Sequence, residues 1–369
     1  MLIPYTIGIS AYFMSYYLMF SPSITRNYPL IPWLSALVHG WSSAMLGLYL
    51  QHDACHSSFT RSPMTWDIMR RAYELMTGLS SVIWIHQHVL GHHPFTNVMD
   101  LDPDIIQTNP GPVRIHESQP WWSYYALQSY YWIPLYSQLV FSRRASEWHN
   151  LFVDRKFKSI SINPLPAKEY AYGLLALTSF LTLHILIPST LLSHSLPRII
   201  ALYALCDAFW SLYLMLVFQA SHVNDEVAWP KADAQSQMDD WAKLQIESSM
   251  DFAHGSTLTT FLVGSLNYQA VHHLFPHISQ YYYPALAPIV MATCQKHGVA
   301  YNVRGSLYEA LALHIGRLVN LGKEPVDDKV EGKVDVAVLE PADEGYVSDE
   351  KKNEEVVCVT RASGVDIQK

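Results

Sequence analysis

Four long apolar runs constrain the fold of this chain more than any other feature. They lie at about residues 2–20, 33–50, 170–192 and 199–218, and a membrane-crossing helix needs about 20 predominantly apolar residues. Only 15% of the 369 residues are charged, against about a quarter in soluble domains. The sequence therefore predicts an all-α, polytopic membrane protein with four transmembrane helices arranged in two hairpins.

Basic residues fall unevenly on the segments between these runs. The segment between the second and third runs holds most of the Lys and Arg that precede the last run, whereas the opposite loops hold only Arg26 and Arg198. By the positive-inside rule the larger segment is cytosolic. Four crossings return the chain to that side just before His222. We therefore expect a cytosolic helical cap in which the histidine-rich segments meet.

Histidines are concentrated in three clusters beside the apolar runs. HDACH spans residues 52–56, WIHQHVLGHHPFTNVMDLDPD spans 84–104, and QAVHH spans 269–273. Neutral imidazole is a common protein ligand for iron, zinc and copper. If the second cluster is an α-helix, His88 and His92 share a face one turn apart, and His93 reaches a second metal beside the first. Three clusters in one chain predict a metal centre.

The predicted ligands are too many for a single metal ion. They are His52, His56, His88, His92, His93, His222, His272 and His273. A mononuclear site uses about four to six ligands, so eight histidines suit two metals. The Glu-x-x-His pattern of soluble di-iron bundles and the HExxH motif of zinc proteases do not occur in the sequence. A histidine-rich pair of irons suits oxygen activation and removal of hydrogen from an unactivated methylene, which side chains alone cannot perform.

Other polar residues near the clusters are candidates to support the ligands. Gln269 precedes His272 by three residues, so it can reach the metals directly or through water. For His86 an ordinary surface position is the more usual interpretation, and His254 fits either role. The residues predicted to lie beside the ligands and orient them are Asp53, His86, Asp102, Asp251 and His254.

Several other classes of protein find no support in the sequence. There is no basic stripe and no nucleic-acid-binding motif. The four cysteines are scattered without a CxxC pair, which argues against a disulfide framework and a zinc ribbon. The stretch from Leu2 has no basic n-region and no convincing cleavage site, so we interpret it as a span and not as a signal peptide.

The three clusters resemble the histidine boxes of the membrane fatty-acid desaturases. The boxes are HDACH, HVLGHH and QAVHH, and the flanking GHHPFTNV, FQASHV and GSLNYQAVHHLFP also agree with that family. The glutamine that opens the third box, Gln269, is the mark of the front-end desaturases. Those enzymes insert a double bond between an existing one and the carboxyl end. The resemblance covers about residues 51–322.

This resemblance implies cofactors, partners and a location. Two non-haem irons would be held by the eight histidines, with Gln269 standing where related desaturases have a histidine. O2 would be the oxidant, and electrons would come from NADH through cytochrome b5 reductase and cytochrome b5. The resemblance also implies a polyunsaturated fatty-acyl substrate and an endoplasmic-reticulum protein whose active site faces the cytosol. Front-end desaturases usually carry an N-terminal cytochrome b5 domain with an HPGG motif. Because no HPGG occurs here, we expect either a truncated chain or a separate cytochrome b5.

The position of the new double bond is the least determined property. Three residues separate His88 and His92 where many relatives have two, and this form resembles the delta-5 type more than the delta-6 type. Delta-8 and delta-4 desaturases, sphingolipid desaturases and hydroxylases stay open as alternatives, as do acyl-CoA and acyl-lipid substrates. A metal transporter is the rival from another class, but its ligands should lie near mid-span.

The expected domain boundary lies near Gly322. Residues 1–322 form the predicted desaturase domain. Residues 323–369 are rich in Asp, Glu, Lys and Val without hydrophobic periodicity, so we predict a disordered acidic C-terminal tail.

Overall fold

A computed structural model describes residues 2–105, 110–230 and 240–325 of the chain. This part is mostly helical, in agreement with the predicted class. The acidic tail falls, from residue 326 onward, outside the described residues, so its predicted disorder stays a prediction.

The described helices and strands follow one another in this order. The α-helices are α1 (Leu2–Phe20), α2 (Pro22–Asn27), α3 (Ile31–Leu46), α4 (His52–Cys55), α5 (Pro63–Thr77), α6 (Ser81–Trp84), α7 (Gln128–Tyr136), α8 (Leu139–His149), α9 (Ala167–Leu181), α10 (Leu196–His222), α11 (Trp241–Glu247), α12 (Thr257–Leu262), α13 (Gln269–Leu274), α14 (Tyr283–His297) and α15 (Leu307–Gly322). Wider π-helical turns occupy Gly47–Gln51, Ile85–His92, Asn150–Asp154 and Thr182–Leu191, and 3-10 turns occupy Ser123–Leu127, Leu266–Tyr268 and Gln280–Tyr282. The strands are β1 (Lys156–Phe157), β2 (Ile160–Ser161), β3 (Met250–Phe252) and β4 (Asn302–Arg304).

All four apolar runs are helical, but they are not equally suited to cross a membrane. Within the described ranges, two helical stretches are long and apolar enough for a span, Ala167–Leu191 and Leu196–His222. They correspond to the predicted second hairpin. The first hairpin is formed by α1 and by α3, which continues through the π-turn Gly47–Gln51 into α4. The two membrane crossings assigned to this first hairpin, and with them the total of four, therefore remain a prediction.

Helix α10 packs closely against α3 at a glycine and is joined to α8 by an ion pair. A Cβ added at Gly40 of α3 would collide with the carbonyl oxygen of Cys206 in α10, so only glycine permits the helices to approach this closely. The carboxylate of Asp207, the acid inside the last apolar run, accepts a hydrogen bond from the Arg144 guanidinium of α8. The costly buried acid is thus paired with a neighbouring helix.

The strands are the main departure from the all-α prediction. β1 and β2 pair antiparallel, and β3 pairs with β4 in parallel, with Met250 opposite Asn302. Elements of two or three residues are too short to produce a recognisable alternation in the sequence. β3 is buried along its whole length, and it carries Asp251 beneath α13. The backbone N–H of Ala270 donates to the Asp251 carboxylate at 2.8 Å, which helps to fix the helix that bears the third histidine cluster.

Candidate metal centre

The three histidine clusters and His222 converge in one buried place. His52 lies in α4 and His56 directly follows it, the second cluster lies on the π-turn Ile85–His92, and the third lies on α13. His222 is the last residue of α10. All eight predicted ligands are no more than 6% exposed. Four segments that are distant in sequence therefore contribute to one site, as the sequence predicts.

The imidazoles form two groups with a shared member between them. One group consists of His52, His56, His88 and His272, and the other consists of His92, His222 and His273; within each group the possible ligand atoms all lie within 4.8 Å of one another. His93 lies between the groups. Its Nε2 is 3.3 Å from Nε2 of His88, and its ring stacks on that of His273 at 4.4 Å between centroids. Each group has the donor set of a metal site.

Unpaired ring nitrogens distinguish these imidazoles from the polar groups of an ordinary core. The atoms concerned are Nδ1 and Nε2 of His52 and His56, Nδ1 of His93, and Nε2 of His272 and His273, all buried without a hydrogen bond among the described residues. Leaving a buried polar atom unsatisfied costs about 1–3 kcal/mol, so seven such atoms in one place are expensive for an ordinary core. Two metal ions would engage one nitrogen of each of these five histidines, and the residues fit that interpretation.

The opposite ring nitrogens of several histidines are held by polar partners. Nδ1 of His92 donates to the buried carboxylate of Asp102 at 3.0 Å. Nδ1 of His273 lies 2.8 Å from Oε1 of Gln245, and Nδ1 of His272 lies 3.1 Å from the hydroxyl of Tyr283. A partner at Nδ1 fixes the ring so that Nε2 points at the metal. Of these three partners the sequence predicts only Asp102.

The charge state of the ligands follows from their surroundings. Burial is the largest influence on the pKa of His272 and of His273, and together with neighbouring imidazoles it lowers both values well below the usual one. Burial also acts to lower the pKa of His92, but the carboxylates of Asp102 and Asp104 outweigh it and raise that pKa to about 9. Most of the site is therefore neutral imidazole with a free lone pair, the form that binds metal.

Gln269 lies at the second group, beside His222. Its side-chain amide nitrogen is 2.8 Å from Nε2 of His222, and the residue is buried. An amide has both a donor and an acceptor end, so a rotated side chain would present its oxygen to the same place. Gln269 is thus near enough to act on a metal at this group directly or through water.

The other predicted supporting residues lie at different distances from the ligands. Asp53 accepts hydrogen bonds from Tyr5, Ser58 and Gln280, so its described partners are not imidazoles. Nδ1 of His86 lies 2.8 Å from the carbonyl oxygen of Val82. His254 lies 2.9 Å from Asp251 and acts on the third cluster only through α13. Within the described part of the chain, neither Asp53 nor His86 forms a side-chain hydrogen bond with a predicted ligand.

The winding of the second cluster differs from the predicted α-helix. The backbone N–H of His93 donates to the carbonyl oxygen of His88, five residues earlier, at 3.0 Å. The rings of His88 and His92 still stack at 5.5 Å between centroids, and their possible ligand atoms lie within 4.8 Å of each other and of Asp104. The segment is therefore helical with π winding, and a pattern of eight residues does not distinguish α from π winding.

A cavity of about 560 Å³ adjoins the metal centre, within the range of about 300–1,000 Å³ that is usual for ligand pockets. One face of α10 lines it with Trp210, Leu214, Met215, Phe218, Gln219 and His222. At 1.5 Å per residue this face extends about 18 Å from His222 to Trp210. Exposed charged residues, Asp154, Lys156 and Lys158, line another part of the wall. The cavity therefore combines a polar entrance, the imidazole groups and a long apolar end.

Comparisons with known proteins agree with the geometry. The sequence profile of the family described as Fatty acid desaturase matches residues 28–305. The chain is 34% identical over 329 residues to the Acyl-lipid (8-3)-desaturase of Mortierella alpina, covering 88% of this chain and 72% of that protein. It is 33% identical over 320 residues to the Delta(5) fatty acid desaturase A of Dictyostelium discoideum, covering 85% of this chain and 68% of that protein. The Acyl-lipid (8-3)-desaturase B of the same organism is 33% identical over 310 residues, covering 79% and 65%.

Proposed function

Because the chain belongs to the fatty acid desaturase family, we propose that it is a front-end desaturase that inserts a cis double bond at the delta-5 position of a polyunsaturated acyl chain. One observation carries the proposal. Eight buried imidazoles, five of which have unpaired ring nitrogens, form two metal-sized groups with His93 between them, beside a long apolar cavity.

Two irons fit the two groups. The first would be held by His52, His56, His88 and His272, and the second by His92, His222 and His273 with Gln269, while His93 lies within reach of both. When bound, the irons activate O2 for the removal of hydrogen from unactivated methylenes. Two hydrogens leave adjacent carbons, and O2 is reduced to two waters with two electrons and two protons from outside. We propose that cytochrome b5 and its NADH-dependent reductase supply the electrons.

The protein's own contribution is to position the acyl chain and to exclude water. Leu214, Met215 and Phe218 give the cavity an apolar wall along α10, which holds a hydrocarbon chain in an extended path past His222. The polar head group would stay at the exposed Asp154, Lys156 and Lys158. Fixing the head group at one end sets which methylenes lie beside the metals, and this is the property that a front-end enzyme needs.

The delta-5 assignment rests on the relatives. The Delta(5) and acyl-lipid terms in the relatives' names support a lipid-bound substrate and delta-5 chemistry for this chain as well. We further propose a catalytic domain of residues 1–322, with four spans and a cytosolic cap in the endoplasmic reticulum. The uneven distribution of Lys and Arg supports this orientation.

Expression in yeast with cytochrome b5, on a panel of polyunsaturated fatty acids, tests the proposal. Double-bond positions in the products are read by gas chromatography and mass spectrometry. A new bond at carbon five on the carboxyl side of an existing one is the expected result. A bond at carbon four, six or eight would replace the delta-5 assignment but keep the front-end class. A purified protein that holds two irons per chain would exclude a transporter, and an iron-loaded protein without any product would contradict the proposed function.

A further inference from the structure

Trp210 separates the large cavity from a second, much smaller one. Among the residues that the structure describes, Trp210 alone lines both spaces. Its side chain is 2% exposed, and it lies at the end of the cavity-lining face of α10 that is farthest from His222. The indole therefore stands where the apolar end of the large cavity stops.

The small pocket has the size and the lining of a site for one water molecule. Its volume is about 10 Å³, and a cavity holds a water once it offers about 10–15 Å³ and two or more polar partners. Polar side chains surround it, namely Tyr12, His39, Arg144, His184, Tyr203 and Asp207. Two polar atoms of its wall, the hydroxyl of Tyr203 and Nε1 of Trp210, are buried and have no hydrogen-bond partner in the described part of the chain.

Two further side chains, Arg144 and Tyr73, contact the indole of Trp210. The Arg144 guanidinium carbon lies 5.9 Å from the centre of the Trp210 ring, and Arg144 is itself fixed by its ion pair with Asp207. On the side of the large cavity, the ring of Tyr73 meets that of Trp210 edge to face at 6.4 Å. A large aromatic ring with a cation on one side and a second ring on the other has little freedom to move.

We propose that Trp210 is the end wall of the acyl cavity and that one ordered water behind it, bonded to the indole N–H and the Tyr203 hydroxyl, holds it in place. This inference rests on the proposed acyl-desaturase function. Because the polar head group stays at the exposed end of the cavity, the methyl end of the chain meets the indole. Trp210 thereby limits how long a chain the enzyme accepts, and Tyr203 acts as a positioning residue through the water.

The test compares substrates that differ in length but not in the position of their double bonds counted from the carboxyl end. The unaltered chain is first given eighteen-, twenty- and twenty-two-carbon acyl chains, and its conversion of any of them reports the proposed function by itself. Trp210→Ala should then favour the longest substrate. Each additional buried methylene is worth about fourfold in binding, so two should raise the ratio of twenty-two- to twenty-carbon product about sixteenfold.

Trp148→Ala is the matched control, since Trp148 is a buried tryptophan that lines neither space and donates to the carbonyl oxygen of Gly78 at 3.0 Å. This control should lower the amount of protein without changing the product ratio. An active Trp210→Ala enzyme with the unaltered ratio would overturn the end-wall assignment.

The water is tested by the conservative variants Trp210→Phe and Tyr203→Phe, which also carry the test if Trp210→Ala does not fold. Each removes one polar atom and keeps a ring, so each should move the product ratio in the same direction. If one water links the two atoms, the double variant should equal the stronger single variant and not their product. Independent, multiplicative effects would refute the linking water, and two variants without any effect would refute the positioning role of Tyr203.

Discussion

Replacing Asp102 with asparagine tests the metal centre most directly. Asp102 is fully buried, and its two oxygens accept from Nδ1 of His92 and from the backbone N–H groups of Asn97 and Asp104, both at 2.9 Å. An asparagine has nearly the same shape, but its NH2 must face one of these backbone donors whichever way the amide is turned. The substitution therefore removes a charge from His92 and leaves a donor without an acceptor.

The size of the effect follows from the role of this bond. Loss of a partner that orients a metal-bound histidine costs about 10- to 100-fold in metal affinity or activity, or about 1.4 to 2.7 kcal/mol. Iron content per purified chain, measured by mass spectrometry across a chelator titration, gives the affinity, and product formation gives the activity. Both should fall, with iron lost from one of two sites first.

Asp225→Asn is the control, because Asp225 is a partly exposed carboxylate that pairs with Arg317. It should alter neither readout by more than about twofold, because the buried Arg317 guanidinium keeps a second carboxylate partner in Glu117. An Asp102→Asn protein that retains two irons with unchanged chelator resistance would refute the role assigned to His92 and its carboxylate.

Further substitutions probe other parts of the centre. His273→Ala should abolish product while the protein stays in the membrane, whereas His297→Ala, an exposed residue of α14, should leave product unchanged; activity of the His273 variant in the yeast assay would contradict the ligand assignment. Gln269→His should retain both irons, but Gln269→Ala should weaken the site at His222; equal iron content in the two variants would count against a metal role. Gly91→Ala should cost about 1–3 kcal/mol of stability and reduce iron binding, because the added Cβ would lie 2.5 Å from Cγ of Pro103 beside Asp102; an unchanged melting temperature would contradict this packing argument.

Sequence reasoning identified the histidines that come together better than it identified the side chains that contact them. The clusters could be found because imidazole groups near apolar runs have few other uses, and the even number of predicted spans brings His222 to them. Gln245 and Tyr283 could not be found, since a lone polar residue distant in sequence carries no spacing signal. Asp104 belongs to the DLDPD segment that follows the second histidine cluster. Of the residues that sequence reasoning missed, it was therefore the easiest to find.

The sequence predicts the long helices. It does not predict the features that depend on tertiary contacts, namely one ion pair and the short strands. The apolar runs give α1 and α10, and also α3 and α9 together with the π-turns that follow them, within a few residues of the predicted bounds. The pairing of Asp207 with Arg144 depends on how α8 packs, which no local pattern records. The strand pair β3 and β4 joins segments about fifty residues apart through three residues each, so it lies below the length at which alternation is recognisable.

The π-turn at Ile85–His92 changes how differences in motif length should be interpreted. A π-turn accommodates one residue more than an α-turn does between bonded backbone groups. Leu90 is 52% exposed, so the additional residue bulges away from the metals and the histidines keep their places. A relative with two residues between these histidines can then present the same ligands from an ordinary α-turn. The longer spacing is an insertion absorbed by the backbone, and by itself it carries little information about where along the acyl chain the double bond is placed.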